Sequence, residues 1–221
     1  MRAGAAWPAL LDLLAPPACQ LCGGAVDAAP DRQLCAGCRA GLRREIAPRR
    51  LAHWPGGAAW ALAPHGGLMR RAVKRLKYGG RYALGPLLGG WLGAELLRLG
   101  VCRPGAVTMV PLHWRRRWAR GYNQAARVAA GVAACWQLPL TETLIKNRPL
   151  PSQVGRSRSQ RRSLPGGVFR AAAVTGQRLL LVDDVWTTGT TTRACRAALE
   201  AAGAAAVWVA TVTYAGGGGD D

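Results

Sequence analysis

The sequence is short of acidic residues. Eleven Asp and Glu stand against thirty Lys and Arg, a formal net charge of +19 over 221 residues. That balance excludes an acidic, solvating chain and favours an anionic partner, either nucleic acid or a phosphorylated metabolite. A coding bias toward Ala, Gly and Arg is a plainer source of part of the arginine excess. Phe occurs once and His three times, so aromatic packing falls to Trp and Tyr and little imidazole chemistry is on offer. No apolar run approaches the ~20 residues of a membrane-spanning helix. Over residues 1–18, Pro8 and Asp12 interrupt the apolar stretch. The segment reads as a short amphipathic helix with Trp7, Leu10, Leu11 and Leu14 on one face, not as an export signal. The expectation is a soluble, cytoplasmic protein of one medium domain plus a small appendage.

Seven cysteines are an odd number, and four of them fall in two tight pairs, which argues against a disulfide framework and for a reducing compartment. The pairs are Cys19-Gln-Leu-Cys22 and Cys35-Ala-Gly-Cys38. Each Cys-x-x-Cys can place two thiolates on one side of a tight turn, with Gly23, Gly24 and Gly37 easing the turns, and two such knuckles complete a tetrahedral four-cysteine zinc site. A redox dithiol is the alternative, though it needs only one pair. Residues 19–47 are expected to form a module too small for a core of its own and folded by metal. Residues 48–57, bounded by Pro and Gly, read as a linker.

The main domain is then expected over 58–214. Strands are expected at Ala58–Ala63, Val107–Val110, Leu140–Ile145, Arg178–Val182 and Ala205–Thr213. Helices are expected at Leu68–Lys77, Tyr82–Leu99, Tyr122–Trp136 and after Thr191. The helix 68–77 carries Lys74, Arg75 and Lys77 opposite its apolar side, either as a solvated face or as phosphate contacts. Residues 146–168 are polar and arginine-rich, which suits a lid over a reactive site or a solvated loop. The tail 215–221 is Gly-rich and expected to be disordered.

The chemistry concentrates in Leu179-Leu-Leu-Val182-Asp183-Asp184-Val185-Trp186-Thr187-Thr188-Gly189-Thr190-Thr191. A buried parallel strand ends in paired carboxylates and passes through a Gly/Thr loop into a helix. Loop N–H groups and the helix N-terminus can cradle a phosphate, and the carboxylates can accept hydrogen bonds from a vicinal diol. The implied ligand is a ribose 5-phosphate. A Walker loop is excluded because no Gly-Lys-[Ser/Thr] ending occurs. The basic loop after Val110 would face the same crevice, where arginines suit a pyrophosphate. His113 in that loop has no carboxylate nearby in sequence to orient it as an acid or base.

Val182–Thr191 resembles the 5-phosphoribosyl-1-pyrophosphate (PRPP) motif of type I phosphoribosyltransferases. Further matches are the two Cys-x-x-Cys pairs, Val110-Pro111-Leu112-His113 with Arg117-x-x-Arg120-Gly121-Tyr122-Asn123-Gln124, and Ser152-Gln153 with Arg158 and Arg161. Together these resemble the competence-protein ComF family nearly end to end. The resemblance implies an α/β fold: a type I phosphoribosyltransferase-like parallel sheet flanked by helices, with a small N-terminal zinc-ribbon module held by four cysteines. It implies that Asp183 and Asp184 hold the ribose hydroxyls, and that Thr187, Thr188, Gly189, Thr190 and Thr191 hold the 5′-phosphate. Arg117 and Arg120 would hold the pyrophosphate with Mg²⁺. It also implies a part in the uptake of transforming single-stranded DNA, alongside other DNA-uptake proteins. Two functions stay open: a PRPP-binding, DNA-uptake protein, or an active phosphoribosyltransferase of nucleotide metabolism, with Asp183 and Asp184 as its catalytic carboxylates. The sequence departs from the family at Ser163-Leu164, where an Asn is usual, and at Trp186, where a smaller residue or Tyr is usual.

Overall fold

A computed structural model of the chain describes residues 17–26, 33–101, 104–112, 118–146 and 168–216. Most of the expected N-terminal helix, His113, Arg115–Arg117, the basic segment 147–167 and the end of the tail therefore lie outside the described residues. Chain order is α1 (Ala36–Arg44), β1 (Arg49–Trp54), β2 (Gly57–Pro64), α2 (Gly67–Tyr78), α3 (Leu84–Arg98), β3 (Ala106–Met109), α4 (Gln124–Trp136), β4 (Leu144–Lys146), β5 (Phe169–Ala171), β6 (Arg178–Trp186), α5 (Thr190–Ala201) and β7 (Ala206–Tyr214).

The principal sheet has the order β1-β2-β7-β6-β3. Its pairs are parallel except the β1–β2 hairpin. Leu179, Leu180, Leu181 and Val182 of β6 are buried throughout, as a central parallel strand covered on both faces requires. Leu140 bridges Val107 in parallel, so α4 crosses from β3 outward, in the same sense as the crossover from β2 to β3. Right-handed crossovers then place α2, α3 and α4 on one face of the sheet and α5, which returns from β6 to β7, on the other. α3 and α4 pack against each other at unusually short range: a Cβ on Gly89 would lie 2.0 Å from the Val128 carbonyl oxygen, and one on Gly131 2.1 Å from that of Pro86. Trp136 closes the far end by donating its indole N–H to the Gly93 carbonyl at 2.7 Å.

Two expectations need correction. Residues 48–57 are not a linker: they hold β1 and the turn into β2. Arg49, Arg50 and His53 are exposed, so β1 carries the polar, basic character of a protected edge strand. Trp54 fastens it by donating its indole N–H to the Val207 carbonyl of β7 at 3.1 Å. The strand expected at Leu140–Ile145 is also shorter. Only Leu144–Lys146 pairs, with Phe169–Ala171 as a separate two-stranded ribbon, because Leu140 is taken by its bridge to Val107.

Candidate functional site

The four sulfurs of Cys19, Cys22, Cys35 and Cys38 all lie within 4.8 Å of one another. Cys22 Sγ and Cys35 Sγ are 3.8 Å apart, the edge of a tetrahedron built on metal–sulfur bonds of about 2.3 Å. The first pair sits on a turn in which the Gly23 N–H donates to the Cys19 carbonyl and the Gly24 N–H to Cys22 Sγ. The second pair is not a turn, and Gly37 is helical: Cys35 is the N-cap of α1 and Cys38 lies in its first turn. Positions three apart on a helix share one face, and the positive end of α1 favours thiolate. Burial raises the Cys19 thiol, but backbone N–H groups of Cys22, Cys35 and Leu21 outweigh it and bring it down to about 6. Burial and the other three sulfurs push Cys38 up. Four sulfurs held this close are a donor set that suits a divalent, thiophilic ion such as Zn²⁺. Four cysteine ligands would leave no open position on such an ion.

The acidic pair stands at the tip of β6. β3 keeps step with β6 only to Val182, where the Val110 N–H closes on the Val182 carbonyl at 2.9 Å. Beyond it, among the described residues, Asp183–Trp186 pair with β7 alone. The two aspartates are thus part of the strand, not of the loop after it, and no described residue pairs with the other edge of β6 there. Strand alternation sends their side chains to opposite faces. Asp184, 4% exposed, points to the α2 face, where Lys77 Nζ lies 3.0 Å from its Oδ1. Its Oδ2 is buried and accepts no hydrogen bond among the described residues. Asp183 points to the α5 face, where its charge adds to burial in raising the Cys195 thiol. Burial first, and then the neighbouring Asp184, push Asp183 itself up to about 7, against the pull of the Asp184 N–H, Lys77 and Lys146.

After Trp186 the chain turns through Thr187 and Thr188 to Gly189, whose φ of 69° is left-handed; a Cβ there would also lie 2.3 Å from the Trp186 ring. α5 starts on Gly189 with no side-chain cap. Thr188 and Thr190 hydroxyls bond each other at 2.7 Å, and Thr192 Oγ1 donates to the Gly189 carbonyl at 2.9 Å. Arg193 secures the loop from outside by donating to the Thr188 carbonyl. The loop is therefore held by its own hydroxyls around a helix N-terminus, where backbone N–H groups can receive an anion.

Arg117 is outside the described residues; Arg120 is within them. The segment Arg120–Gln124 works as a clasp. Arg120 Nη1 donates to Gln124 Oε1 at 2.6 Å, and its guanidinium stacks 5.0 Å from the Tyr78 ring centre. Tyr122 donates its hydroxyl to the Leu76 carbonyl in the last turn of α2. Asn123 caps α4 by accepting from the Ala125 N–H and donates to the Val110 carbonyl, both at 3.0 Å. One five-residue motif thus joins α2, the end of β3 and the start of α4. It borders an open cavity of about 270 Å³ lined by Lys77, Tyr78, Gly80, Ala119, Arg120 and Tyr122. His65, just past β2, bonds Thr213 Oγ1 through Nδ1 at 2.8 Å; burial, then Lys77 and Arg70, keep it neutral-favouring.

Lys77, His65 and Tyr122 are site residues that sequence reasoning did not assign. Lys77 had a signal, as one cation of a basic helix face. A lone histidine and a tyrosine inside a motif carry none until the fold brings them together.

No protein-family model matches the chain. Over 146 residues it is 31% identical to DNA utilization protein YhgH of Escherichia coli K12, covering 62% of this chain and 63% of that one. Over 93 residues it is 34% identical to Competence protein F of Haemophilus influenzae, covering 40% and 41%. The match therefore spans less than two thirds of either relative. Among solved structures, the glutamine PRPP amidotransferase of B. subtilis, complexed with ADP and GMP, aligns with a TM-score of 0.43 and 27% identity over 59% of this chain and 26% of that one. An allosteric regulatory enzyme of purine biosynthesis aligns with a TM-score of 0.41 and 27% identity over 58% and 26%. No helix among the described residues is long and apolar enough to cross a membrane. A four-cysteine cluster and a mostly parallel five-stranded sheet thus stand together in a chain that is similar, over part of its length, to YhgH and to competence protein F.

Proposed function

We propose that the chain binds PRPP and uses that capacity in the handling of DNA, as the names of its relatives suggest for them. The observation that carries the PRPP reading is the end of β6. Two carboxylates flank the strand tip there, and a Gly/Thr loop leads straight to an uncapped helix N-terminus. A ribose lying across that tip donates its hydroxyls to Asp183 and Asp184 while its 5′-phosphate meets Thr187, Thr188, Gly189, Thr190 and Thr191. Arg117 and Arg120 take the diphosphate, which carries Mg²⁺ with it. The net charge of +19 supports a nucleic-acid partner through phosphate contacts, with single-stranded DNA and the proteins of DNA uptake as its company.

Calorimetric titration with PRPP and Mg²⁺ tests the reading. Binding that disappears in the Asp183→Ala, Asp184→Ala double variant is expected, and no binding at millimolar PRPP overturns it. Salt-dependent binding of single-stranded DNA that survives the same double variant is expected of a separate DNA surface. Release of pyrophosphate from PRPP in the presence of an acceptor would add transferase activity.

A further inference from the structure

We propose that Lys77 is a shared counter-ion of the site: it pairs with Asp184 when no ligand is bound and turns to the diphosphate of PRPP when the ribose hydroxyls take over Asp184. The inference rests on the PRPP reading above and assigns to it a residue from α2, outside both the strand–loop motif and the arginine loop.

Geometry places Lys77 at a junction. Its ammonium touches Asp184 Oδ1 at 3.0 Å, with the lysine side chain 22% exposed and the aspartate 6%. Lys77 also lines an open cavity with Tyr78, Gly80, Ala119, Arg120 and Tyr122, and its described lining holds two cations and no carboxylate. An anion is what such a lining selects. The lysine stem emerges from the last turn of α2, and its four methylenes let the ammonium swing between two partners without moving the helix. The clasp residue Tyr122 holds that turn in place through the Leu76 carbonyl.

The exchange has to balance. A carboxylate this buried that loses its cation is strongly destabilised, so Lys77 cannot leave Asp184 uncompensated. PRPP brings both replacements in one molecule: hydroxyl donors for Asp184, including the unpartnered Oδ2, and a diphosphate for the ammonium. Ribose 5-phosphate brings the donors and its own 5′-phosphate but no diphosphate, and inorganic pyrophosphate brings the diphosphate without the donors. Pyrophosphate alone must compete with Asp184 for Lys77.

Titrations with PRPP, ribose 5-phosphate and inorganic pyrophosphate therefore discriminate. Lys77→Met is expected to weaken PRPP by about tenfold or more, the scale of a lost charge-assisted contact, while changing ribose 5-phosphate by no more than about threefold. Because Lys77→Met strands a buried carboxylate and is at risk of misfolding, a second comparison removes that charge. Asp184→Asn is expected to tighten pyrophosphate by freeing Lys77, and the K77M/D184N double variant to abolish that gain. Equal losses of PRPP and ribose 5-phosphate in Lys77→Met would overturn the inference, and so would pyrophosphate binding unchanged between Asp184→Asn and the double variant. Wild-type protein that binds pyrophosphate but neither phosphoribosyl ligand would instead overturn the PRPP reading and leave a plain diphosphate site. Wild-type protein that binds none of the three overturns both.

Discussion

Glu45 grips the start of α2: its two carboxylate oxygens accept hydrogen bonds from the Leu68 and Met69 N–H groups, each at 2.8 Å. Glu45 is the C-cap of α1, the helix that carries Cys35 and Cys38 at its beginning. The same α2 ends on Lys77. A single helix thus runs from the cysteine module to the acidic pair, and its first turn is fixed by a residue of that module. Gly67 makes the grip possible, since its φ is 44° and a Cβ there would lie 2.3 Å from Glu45 Oε1.

Replacing Glu45 by Gln keeps the shape and removes the charge. The loss of two charge-assisted bonds at a helix N-terminus is expected to cost about 1 kcal/mol, and Glu45→Ala about 2 kcal/mol. Urea denaturation monitored by tryptophan fluorescence reads both. Equal stability of Glu45→Ala and the parent would show that the cap does not hold the two parts together.

The cysteine cluster predicts about one zinc per chain by elemental analysis. Changing Cys22 or Cys35 to Ser is expected to remove the metal and to lower the melting temperature. A soluble, folded protein without metal and with all four cysteines intact would refute the assignment.

Asp183 gives a pH signature. Burial and Asp184 push it up to about 7, whereas in the unfolded chain it titrates near 4. The folded state therefore holds a proton that the unfolded state has released. The associated stability is fully present below about pH 4 and is lost as pH rises through about 7. Asp183→Asn stays neutral, so its melting temperature relative to the parent is expected to rise between about pH 4 and about pH 7. PRPP affinity of the parent, which needs the ionised carboxylate, is expected to rise over the same interval. A pH-independent difference between the two proteins would contradict this account.

Two neighbouring glycines of α3 should respond in opposite directions. Gly89→Ala drives a methyl to 2.0 Å from the Val128 carbonyl oxygen, an overpacking expected to cost about 1–3 kcal/mol. At Gly90 nothing lies within 4 Å of an added Cβ. Gly90→Ala is expected to stabilise by about 0.5–1 kcal/mol through helix propensity. Thermal melts of the two single variants check the contrast.

Gly89 marks a boundary of what the sequence makes legible. In the string it looks like a costly passenger of an apolar helix, no different from Gly90; its purpose is visible only once α4 lies across it. The buried strands behave differently, because four consecutive aliphatics in β6 and the largely apolar run of β7 announce themselves locally. The order of strand, acidic pair, Gly/Thr loop and helix from Leu179 onward was legible for the same reason, as a local pattern. β1 was not, since an edge strand is polar by necessity and reads like a connection. Nor was the α2 contribution to the site: the Lys77–Asp184 pair spans residues far apart in the chain, and one cation among several on a helix face carries no mark of which will be buried. Arg120–Gln124 was read for its charge, whereas most of its side-chain bonds hold elements together.

The opposite facing of Asp183 and Asp184 makes the length of β6 as binding as its composition. Removing or adding one residue between Leu179 and Val182 would exchange the two acids between layers. The carboxylate at the tip would then meet Cys195 and α5 where Lys77 was needed, and the aliphatic core would turn over with it. Substitutions within this strand are open to compensation by neighbours; a change of a single position in its count is not.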